Sequence, residues 1–340
     1  MKLSLGFVTM NETEKAIRGR SKMLEDSNVL VRKIERIHPF EVRYDIDDVD
    51  GSGRMDCLTV YSGIQVIYNR FDCFKTPSNS KGNKGHIEIN HCLRGKYEGL
   101  YHKSYYAYLS PGDLSVSKWS LERVYDSFPL GYYEGVEILI DLEKARGNPI
   151  LSHFHIDVDE LEQKLMLSDN LVVLKSTQQI QHIFLEMYEI EEKIKLDYLK
   201  IKVLELLLFL LNTDFKMLRP SNHYYPRKQI EIVKEIKKYL SEHRSQHHDF
   251  QKLADAYHIN IHTLRKTFKD IYGISIYRWF KEYRLEYSSR LLLETDWSIL
   301  EIANQIGYSN PSKYAAAFAK YFQMTPKQYR KFHMRMDSFE

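Results

Sequence analysis

Cysteine is scarce in this chain of 340 residues, and no apolar stretch is long enough to cross a membrane. The three cysteines, Cys57, Cys73 and Cys92, are odd in number and lack the CxxC spacing of zinc sites, so we expect them to stay reduced in a cytosol. The longest apolar run, residues 203–211, is interrupted by Glu205 and is far shorter than a bilayer span. The first ten residues are too short and too polar at their end for a signal peptide. These absences predict a cytoplasmic protein.

Motifs of catalysis are also absent from the sequence. It contains no glycine-rich phosphate loop, no Gly-x-Ser-x-Gly elbow, no HExxH helix and no paired-carboxylate motif. A repair module with a zinc-bound reactive cysteine needs four clustered ligands, which three widely spaced cysteines cannot supply. We therefore expect neither an enzyme nor a cofactor.

Positive charge is concentrated towards the C-terminal end of the chain. The formal net charge is +3, from 49 lysines and arginines against 46 acidic residues. Residues 226–340 hold 20 of the basic and 13 of the acidic residues, so this part carries about +7 and the rest about −4. The basic residues flank two turns and do not line one amphipathic helix. Their expected binding partner is therefore a polyanion and not a membrane surface.

The same basic region contains one pattern twice, 49 to 50 residues apart. Each copy has a cap residue, a small alanine, a permissive turn residue and an apolar i, i+4 pair, which together predict a helix, a tight turn and a second helix. These positions are Asp249, Ala254, His258, Leu264 and Phe268 in the first copy, and Ser298, Ala303, Gly307, Tyr314 and Phe318 in the second. Between the copies, residues 276–293 lack glycine and proline and predict one rigid connecting helix. This spacing suits two successive segments of a DNA major groove.

The residues of this region resemble the AraC/XylS family of bacterial transcription regulators. The resemblance spans roughly residues 228–333 and rests on residues 253–269, Arg284, Leu285, Leu291, Leu292, residues 302–308, Phe318, and the run Thr325, Pro326, Tyr329 and Arg330. It implies an all-α domain of seven helices with two helix-turn-helix units. The rest of the chain is similar, more loosely, to a sensor domain of the same family.

Helical spacing predicts which side chains of the first unit face DNA. A buried stripe of Ile261, Leu264 and Phe268 leaves a polar outer face, made of His262, Arg265, Lys266 and Lys269. Thr263, next to His262 in the chain, is a further candidate for DNA contact. Arginine and lysine can donate to guanine O6 and N7, and histidine and threonine can bond or pack against base edges. The resemblance implies base reading by His262, Arg265 and Lys266. The alternative is a solvated helix face without a partner.

The second unit has a weaker outer face, with Ser312, Lys313, Ala316 and Lys320. Ala316 stands where the family commonly has a base-reading arginine, and an alanine can contact only a thymine methyl group. We therefore expect mainly phosphate contacts from Lys313 and Lys320. The turn of the first unit has His258 where glycine is usual. Histidine is one of the non-glycine residues that adopt the left-handed conformation more often than others, so the turn can still form.

An alternating pattern of short strands precedes this region and predicts an antiparallel barrel or jelly roll, so the fold class is α+β. The expected strands are residues 40–44, 58–61, 64–68, 86–90, 105–109 and 136–140. A turn at residues 110–114 resembles one in the cupin-like sensor domains of AraC regulators. A small effector could contact barrel aromatics, for which the candidates are Tyr61, Tyr68, Tyr97, Tyr106, Tyr108 and Trp119. Ordinary core packing is the alternative for each of them.

Histidine spacing argues against a metal in the barrel. Metal-binding cupins have two histidines two residues apart, then a glutamate and a distant histidine, whereas His86 and His91 are five apart and His102 does not complete that frame. His153 and His155 have strand-like spacing but lie beyond the barrel. We expect no metal.

Helical patterns connect the barrel to the basic region, at residues 157–167 and 176–211. The end of the second pattern is apolar around most of its circumference, so it needs cover on two sides, from the barrel and either a second subunit or the same chain. The expected plan is an N-terminal helical segment (1–37, with the helix at 12–37), a cupin-like sensor barrel (38–150), a helical dimerisation segment (151–215), a linker (216–227) and an AraC-type DNA-binding domain (228–340).

Two classes of function remain open at this point. The favoured one is a transcription regulator, an activator that binds double-stranded promoter DNA. We expect it to act as a homodimer, with RNA polymerase and a small effector as further partners. The other is a DNA-directed repair enzyme of the kind that carries such a domain beside a reactive cysteine. A constitutive DNA binder without a ligand differs from the first only in a solidly packed barrel.

Overall fold

The computed structural model describes residues 30–48, 51–74, 85–118, 123–166, 171–215 and 224–336. The chain divides between Arg227 and Lys228 into two compact units. Among the described helices, none combines the length and apolar character needed to cross a membrane. We describe each unit by itself.

The N-terminal unit contains two antiparallel sheets. Eight strands pair in the order β1-β2-β3-β4-β10-β5-β8-β11, and four in the order β12-β7-β6-β9. The strands are β1 (Leu30–His38), β2 (Glu41–Asp48), β3 (Gly51–Tyr61), β4 (Ile64–Asp72), β5 (His86–Gly95), β6 (Tyr97–Tyr101), β7 (Tyr105–Leu109), β8 (Leu114–Lys118), β9 (Arg123–Ser127), β10 (Tyr133–Asp141), β11 (Leu171–Leu174) and β12 (Tyr224–Pro226). The prediction of antiparallel strands is confirmed, but within the described residues the sheets do not close into a barrel.

Helices of the N-terminal unit follow β10. They are α1 (Leu142–Ala145), α2 (Pro149–His153), α3 (Val158–Met166), α4 (Gln178–Tyr188), a 3₁₀ turn (Glu192–Ile194) and α5 (Lys195–Asn212). Successive residues of a strand point to opposite sides of a sheet, and the central strands of the eight-stranded sheet are buried on both faces. Val66 lies in the core shared with α4 and α5, whereas the next residue, Ile67, lies in the core shared with Leu109 and Phe128.

Several predicted boundaries differ from the structure. Residues 30–37, predicted as the end of a helix, form β1, and residues 12–29 lie outside the described part of the chain. The helix predicted over 176–211 is two helices, α4 and α5, separated by the 3₁₀ turn. A strand, β11, lies between the two predicted helices, within the predicted dimerisation segment 151–215. The end of the predicted linker is β12, which pairs with β7, and residues 216–223 are outside the description.

The C-terminal unit is all helical. Its helices are α6 (Arg227–Glu242), α7 (Phe250–Ala256), α8 (Ile261–Tyr272), α9 (Ile276–Glu294), α10 (Ile299–Gln305), α11 (Pro311–Phe322) and α12 (Pro326–Met336). The helix predicted between the two repeats is α9, which runs one residue further than expected. Leu264 and Phe268 of α8 are fully buried, and so are Tyr314 and Phe318 of α11. The two apolar i, i+4 pairs therefore anchor the second helix of each repeat, as the sequence predicts.

Candidate nucleic-acid interface

The turns between α7 and α8 and between α10 and α11 have the same backbone geometry. The turn residues both adopt left-handed backbone angles, with φ of +53° at His258 and +74° at Gly307. In each repeat the amide five residues after the small alanine donates to the alanine carbonyl, from Ile259 to Ala254 at 3.0 Å and from Tyr308 to Ala303 at 2.8 Å. Histidine thus takes the conformation that glycine has in the second copy, and the repeat seen in the sequence is a structural repeat.

Asparagine residues cap both helices that present the polar faces. The Asn260 side chain accepts a hydrogen bond from the His262 amide at 2.8 Å and begins α8. The Asn310 side chain accepts from the Ser312 and Lys313 amides at 2.9 and 3.2 Å and begins α11, with Pro311 in the first turn. Because caps satisfy amides that have no partner within the helix, they fix where each exposed face starts.

The outer face of α8 holds four exposed side chains at helical spacing, which are His262, Arg265, Lys266 and Lys269, with Thr263 partly buried beside them. In the part of the chain that the structure describes, no ion pair engages Arg265, Lys266 or Lys269. Their spacing of i, i+3, i+4 and i+7 places them along one side of the helix. The result is a narrow cationic face with several donors free to bond base edges or phosphates.

The outer face of α11 is smaller and less polar. Ser312, Lys313, Ala316 and Lys320 are exposed, and Ala315 and Ala319 are partly buried. Small side chains let a helix backbone approach a surface closely, but they bring no hydrogen-bond donors. Two lysines at the ends of an alanine face suit phosphate contacts better than base reading.

The connecting helix α9 contacts both repeats. Trp279 packs against Phe268 of α8, with 5.4 Å between the ring centroids. Ser288 is fully buried, and its Oγ accepts a hydrogen bond from the Tyr314 hydroxyl of α11 at 3.2 Å. Arg284 donates from Nε to the carbonyl oxygen of Ile306, at the end of α10. These contacts fix the spacing of α8 and α11 within the unit, and the role of Arg284 could not be predicted from local spacing.

The candidate effector residues of the N-terminal unit are not brought together at one place. Tyr61 and Tyr68 face the helices, and their hydroxyls donate to the carbonyl oxygens of Lys200 at 3.1 Å and Met187 at 2.7 Å. Tyr97 packs between the sheets and donates to Asp126 at 2.9 Å. Tyr106 stacks on Tyr108, whose hydroxyl bonds Glu98, and Trp119 lies outside the described residues. Burial raises the pKa of Tyr68, so that its hydroxyl stays a donor.

His91 is a polar residue in the core between the sheet and α4. Its sequence context did not predict this buried position. Its side chain is 4% exposed and stacks on Phe184 with 4.2 Å between centroids. Nδ1 lies 3.0 Å from the Tyr188 hydroxyl, and Nε2 has no hydrogen-bond partner among the described residues. Burial lowers the pKa of His91 to about 4, because the apolar surroundings disfavour the charged ring.

Comparison with known proteins places the C-terminal unit in a family. Residues 253–331 match the family described as "Helix-turn-helix domain". The virulence regulon transcriptional activator VirF of Yersinia enterocolitica is 32% identical over 95 residues, which cover 28% of this chain and 35% of VirF. The bifunctional transcriptional activator and DNA repair enzyme AdaA of Bacillus subtilis is 27% identical over 115 residues, 34% of this chain and 54% of AdaA.

A solved structure with the same kind of match is the C-terminal domain of AraT, a response regulator from Geobacillus stearothermophilus. It is 30% identical, covers 30% of this chain and 84% of the AraT domain, and has a TM-score of 0.29. This chain spans about a third of the length of VirF and of similar relatives. The domain that contains the two repeats belongs to the AraC/XylS family.

Proposed function

We propose that the protein is a cytoplasmic regulator that activates transcription by binding double-stranded promoter DNA through two helix-turn-helix units, α7–α8 and α10–α11. The exposed face of α8 carries this proposal, because His262, Arg265, Lys266 and Lys269 lie in one row without an ion pair in the described residues. A row of cations at the second helix of such a unit fits the major groove. VirF and AdaA, both named as transcriptional activators, match the same region.

The two units divide the recognition of DNA. His262, Thr263, Arg265 and Lys266 read base edges, and Lys269 lies one turn further along the same face. Ser312, Lys313 and Lys320 hold phosphates, and the exposed Ala316 packs against a thymine methyl group. Because α9 holds the two helices at a fixed spacing, both can engage one face of the duplex in successive major-groove segments.

The N-terminal unit acts as the sensor, with a cupin-like domain at residues 38–150 and a helical dimerisation segment at 151–215. The connection to the DNA-binding domain at 228–340 ends in β12. The sheets are packed with aromatic side chains whose hydroxyls already have protein partners, as at Tyr61 and Tyr68. An effector would therefore act by displacing such contacts, and RNA polymerase would be the partner of the DNA-bound regulator.

Three apolar side chains that face solvent, one just before α5 and two within it, support a homodimer through this helix. Ile194, Ile201 and Leu208 are 50%, 60% and 36% exposed, and they are spaced by seven residues. The opposite face of α5 is fully buried, with Leu199, Val203 and Leu206 in the core. Apolar side chains spaced by seven residues lie on one side of a helix, so the same helix of a second subunit can cover them. Two subunits would double the length of DNA that is read.

The alternative of a repair enzyme has less support. Cys57, Cys73 and Cys92 are all buried and form no disulfide among the described residues. Burial raises the pKa of Cys92, so this thiol is a poor nucleophile. A constitutive binder without a ligand stays the second candidate. It is favoured by the close packing of the core between the sheet and α5.

Selection of genomic fragments by the full chain tests the proposed function. A selected fragment should bind with a dissociation constant at least about 1,000-fold below that of a scrambled fragment at the same salt concentration. Affinity should fall steeply as salt increases, because bound lysines and arginines release counterions from the duplex. Equal affinity for both fragments, measured by fluorescence anisotropy, would overturn sequence-specific recognition.

A further inference from the structure

Three metal-ligating side chains from two distant segments meet at one edge of the N-terminal unit. His38 is the last residue of β1, Glu41 the first of β2, and Glu192 the first of the 3₁₀ turn before α5. One ligand atom of each, a ring nitrogen and two carboxylate oxygens, lies within 4.8 Å of the other two. The side chains of His38 and Glu192 reach solvent, so the cluster is open to an ion from outside.

Glu41 is the unusual member of this cluster. The residue is 1% exposed, and its Oε2 atom has no hydrogen-bond partner within the described residues. A buried carboxylate oxygen without a partner is costly, and such atoms mark places where an ion or a water molecule belongs. The burial of Glu41 and the open positions of His38 and Glu192 together point to a ligand that approaches from the solvent side.

Lys195 gives this carboxylate only partial compensation. Its Nζ atom is 3.6 Å from Glu41 Oε1 and 3.4 Å from Glu192 Oε2. Tight charge-assisted hydrogen bonds are about 2.7–2.9 Å long, so the ammonium group stands back from both acids. It also lies 5.3 Å from the centre of the Tyr68 ring, which offers the charge another favourable neighbour. Lys195 can therefore move towards Tyr68 when a stronger cation takes its place.

We propose that His38, Glu41 and Glu192 bind a divalent first-row transition-metal ion. One imidazole nitrogen and two carboxylate oxygens suit Zn²⁺, Fe²⁺ or Mn²⁺, whereas Mg²⁺ and Ca²⁺ prefer sites made only of oxygen. Three protein ligands leave a coordination position for water. The sequence does not predict this site, because Glu192 is far from the other two ligands along the chain and the spacing of His38 and Glu41 matches no metal motif.

The position of the site gives the ion a regulatory part, which rests on the proposed function. The ion would hold the β1–β2 turn against the start of α5, the helix that carries Ile201 and Leu208. A ligand that binds one arrangement of this helix more tightly than another shifts the balance between them. Metal occupancy would thereby act on dimerisation, and through it on binding of the promoter.

Zinc titration of the full chain by calorimetry tests the site. His38→Ala and Glu192→Gln should each weaken zinc affinity at least about tenfold. Lys195→Met should strengthen it, because the variant removes a competing positive charge while keeping most of the side-chain length. His153→Ala, which alters an exposed histidine of α2, is the matched control and should leave affinity unchanged. Equal affinity in wild type and His38→Ala, or weaker binding by Lys195→Met, would overturn the proposal.

A second measurement separates the metal site from the proposed function. Fluorescence anisotropy with a selected DNA fragment, with and without Zn²⁺, should show a zinc-dependent change in affinity that His38→Ala abolishes. If the zinc thermograms follow the expected pattern but no DNA binds, the site stands and the proposed function fails. If DNA binds specifically and zinc does not distinguish the variants, the proposed function stands and the site fails. An unchanged DNA affinity despite zinc binding would overturn the regulatory part.

Discussion

Arg284 Nε, in the connecting helix α9, donates a hydrogen bond to the carbonyl oxygen of Ile306, the C-cap residue of α10. The neighbouring Gly307 lies against the same guanidinium group. A methyl group added at Gly307 would stand 2.0 Å from Arg284 Nη2 and 2.4 Å from the Ser245 carbonyl oxygen. The second turn is therefore held by α9 on one side and by the loop after α6 on the other.

Gly307→Ala should destabilise the C-terminal unit more than Gly273→Ala does. Both glycines have left-handed backbone angles, with φ of +74° and +76°, so both variants lose roughly 1–2 kcal/mol from backbone strain. A methyl group at Gly273 meets nothing within 4 Å, whereas one at Gly307 forces Arg284 and Ser245 apart, which adds about 1–3 kcal/mol. Urea unfolding of both variants measures the difference. Equal losses would show that Arg284 and Ser245 do not approach this closely.

Arg265→Ala should weaken binding to a selected DNA site by roughly 1–3 kcal/mol and relax its sequence preference, because an exposed arginine on α8 can bond two acceptors of one guanine. Lys320→Ala is the contrasting variant. It should weaken binding equally for all sequences and reduce the slope of affinity against salt by about one, since it removes one phosphate contact. Anisotropy titrations at several salt concentrations give both quantities. A reversed pattern, with specificity lost only in Lys320→Ala, would contradict the division of roles between α8 and α11.

Ile201→Glu should convert the dimer into a monomer without unfolding the chain. Ile201 is 60% exposed in the single chain, so a charged side chain there costs little unless a second subunit covers it. Met166→Glu is the matched control, because Met166 on α3 is 59% exposed and away from the proposed seam. Analytical ultracentrifugation measures the mass. A monomeric wild type, or a dimeric Ile201→Glu variant, would contradict a dimer formed through α5.

His91 should make the N-terminal unit sensitive to acid. Its pKa is lowered from 6.5 to about 4, so the folded chain holds the ring neutral while the unfolded chain takes up a proton below pH 6.5. Stability from this residue is complete above pH 6.5 and is lost as the pH falls towards 4, by on the order of 3 kcal/mol.

The variant His91→Gln should remove that part of the pH dependence. Denaturant unfolding between pH 4 and 7 measures it as the difference between wild type and variant, which cancels the carboxylates that titrate in the same range. His153→Gln, at an exposed position, should keep the wild-type slope. If His91→Gln and wild type lose stability in parallel, the buried ring does not titrate on unfolding.

Local signals predicted the C-terminal unit well. Asp249 and Ser298 begin α7 and α10 as their capping residues suggest, and the Ser298–Glu301 capping box is complete in the structure. In each repeat of this unit, the cap, the turn and the apolar pair are close together along the chain. Such short-range patterns are visible in the sequence because each element carries its own start and stop.

The features that the sequence did not predict depend on pairing between residues that are distant along the chain. The apolar residues Leu30, Ile34 and Ile37 fit a helical repeat, yet Ile34 lies opposite Tyr44 in an antiparallel pair, and that partner overrides the local pattern. The eight-stranded order places β10 between β4 and β5, which no local motif predicts. The position of Arg284 at Ile306 and the meeting of His38 with Glu192 likewise depend on contacts between distant segments.

The most direct test of the paired-helix account is hydroxyl-radical footprinting of the full chain on a selected promoter fragment. Two rigidly spaced helices in successive major-groove segments predict two protected segments on one face of the duplex, with centres about 10–10.5 base pairs apart for each subunit. Removing the cationic face of α8 by Arg265→Ala and Lys266→Ala together should erase one segment of each pair. A single protected segment in the wild type, or protection unaffected by the double variant, would contradict the account.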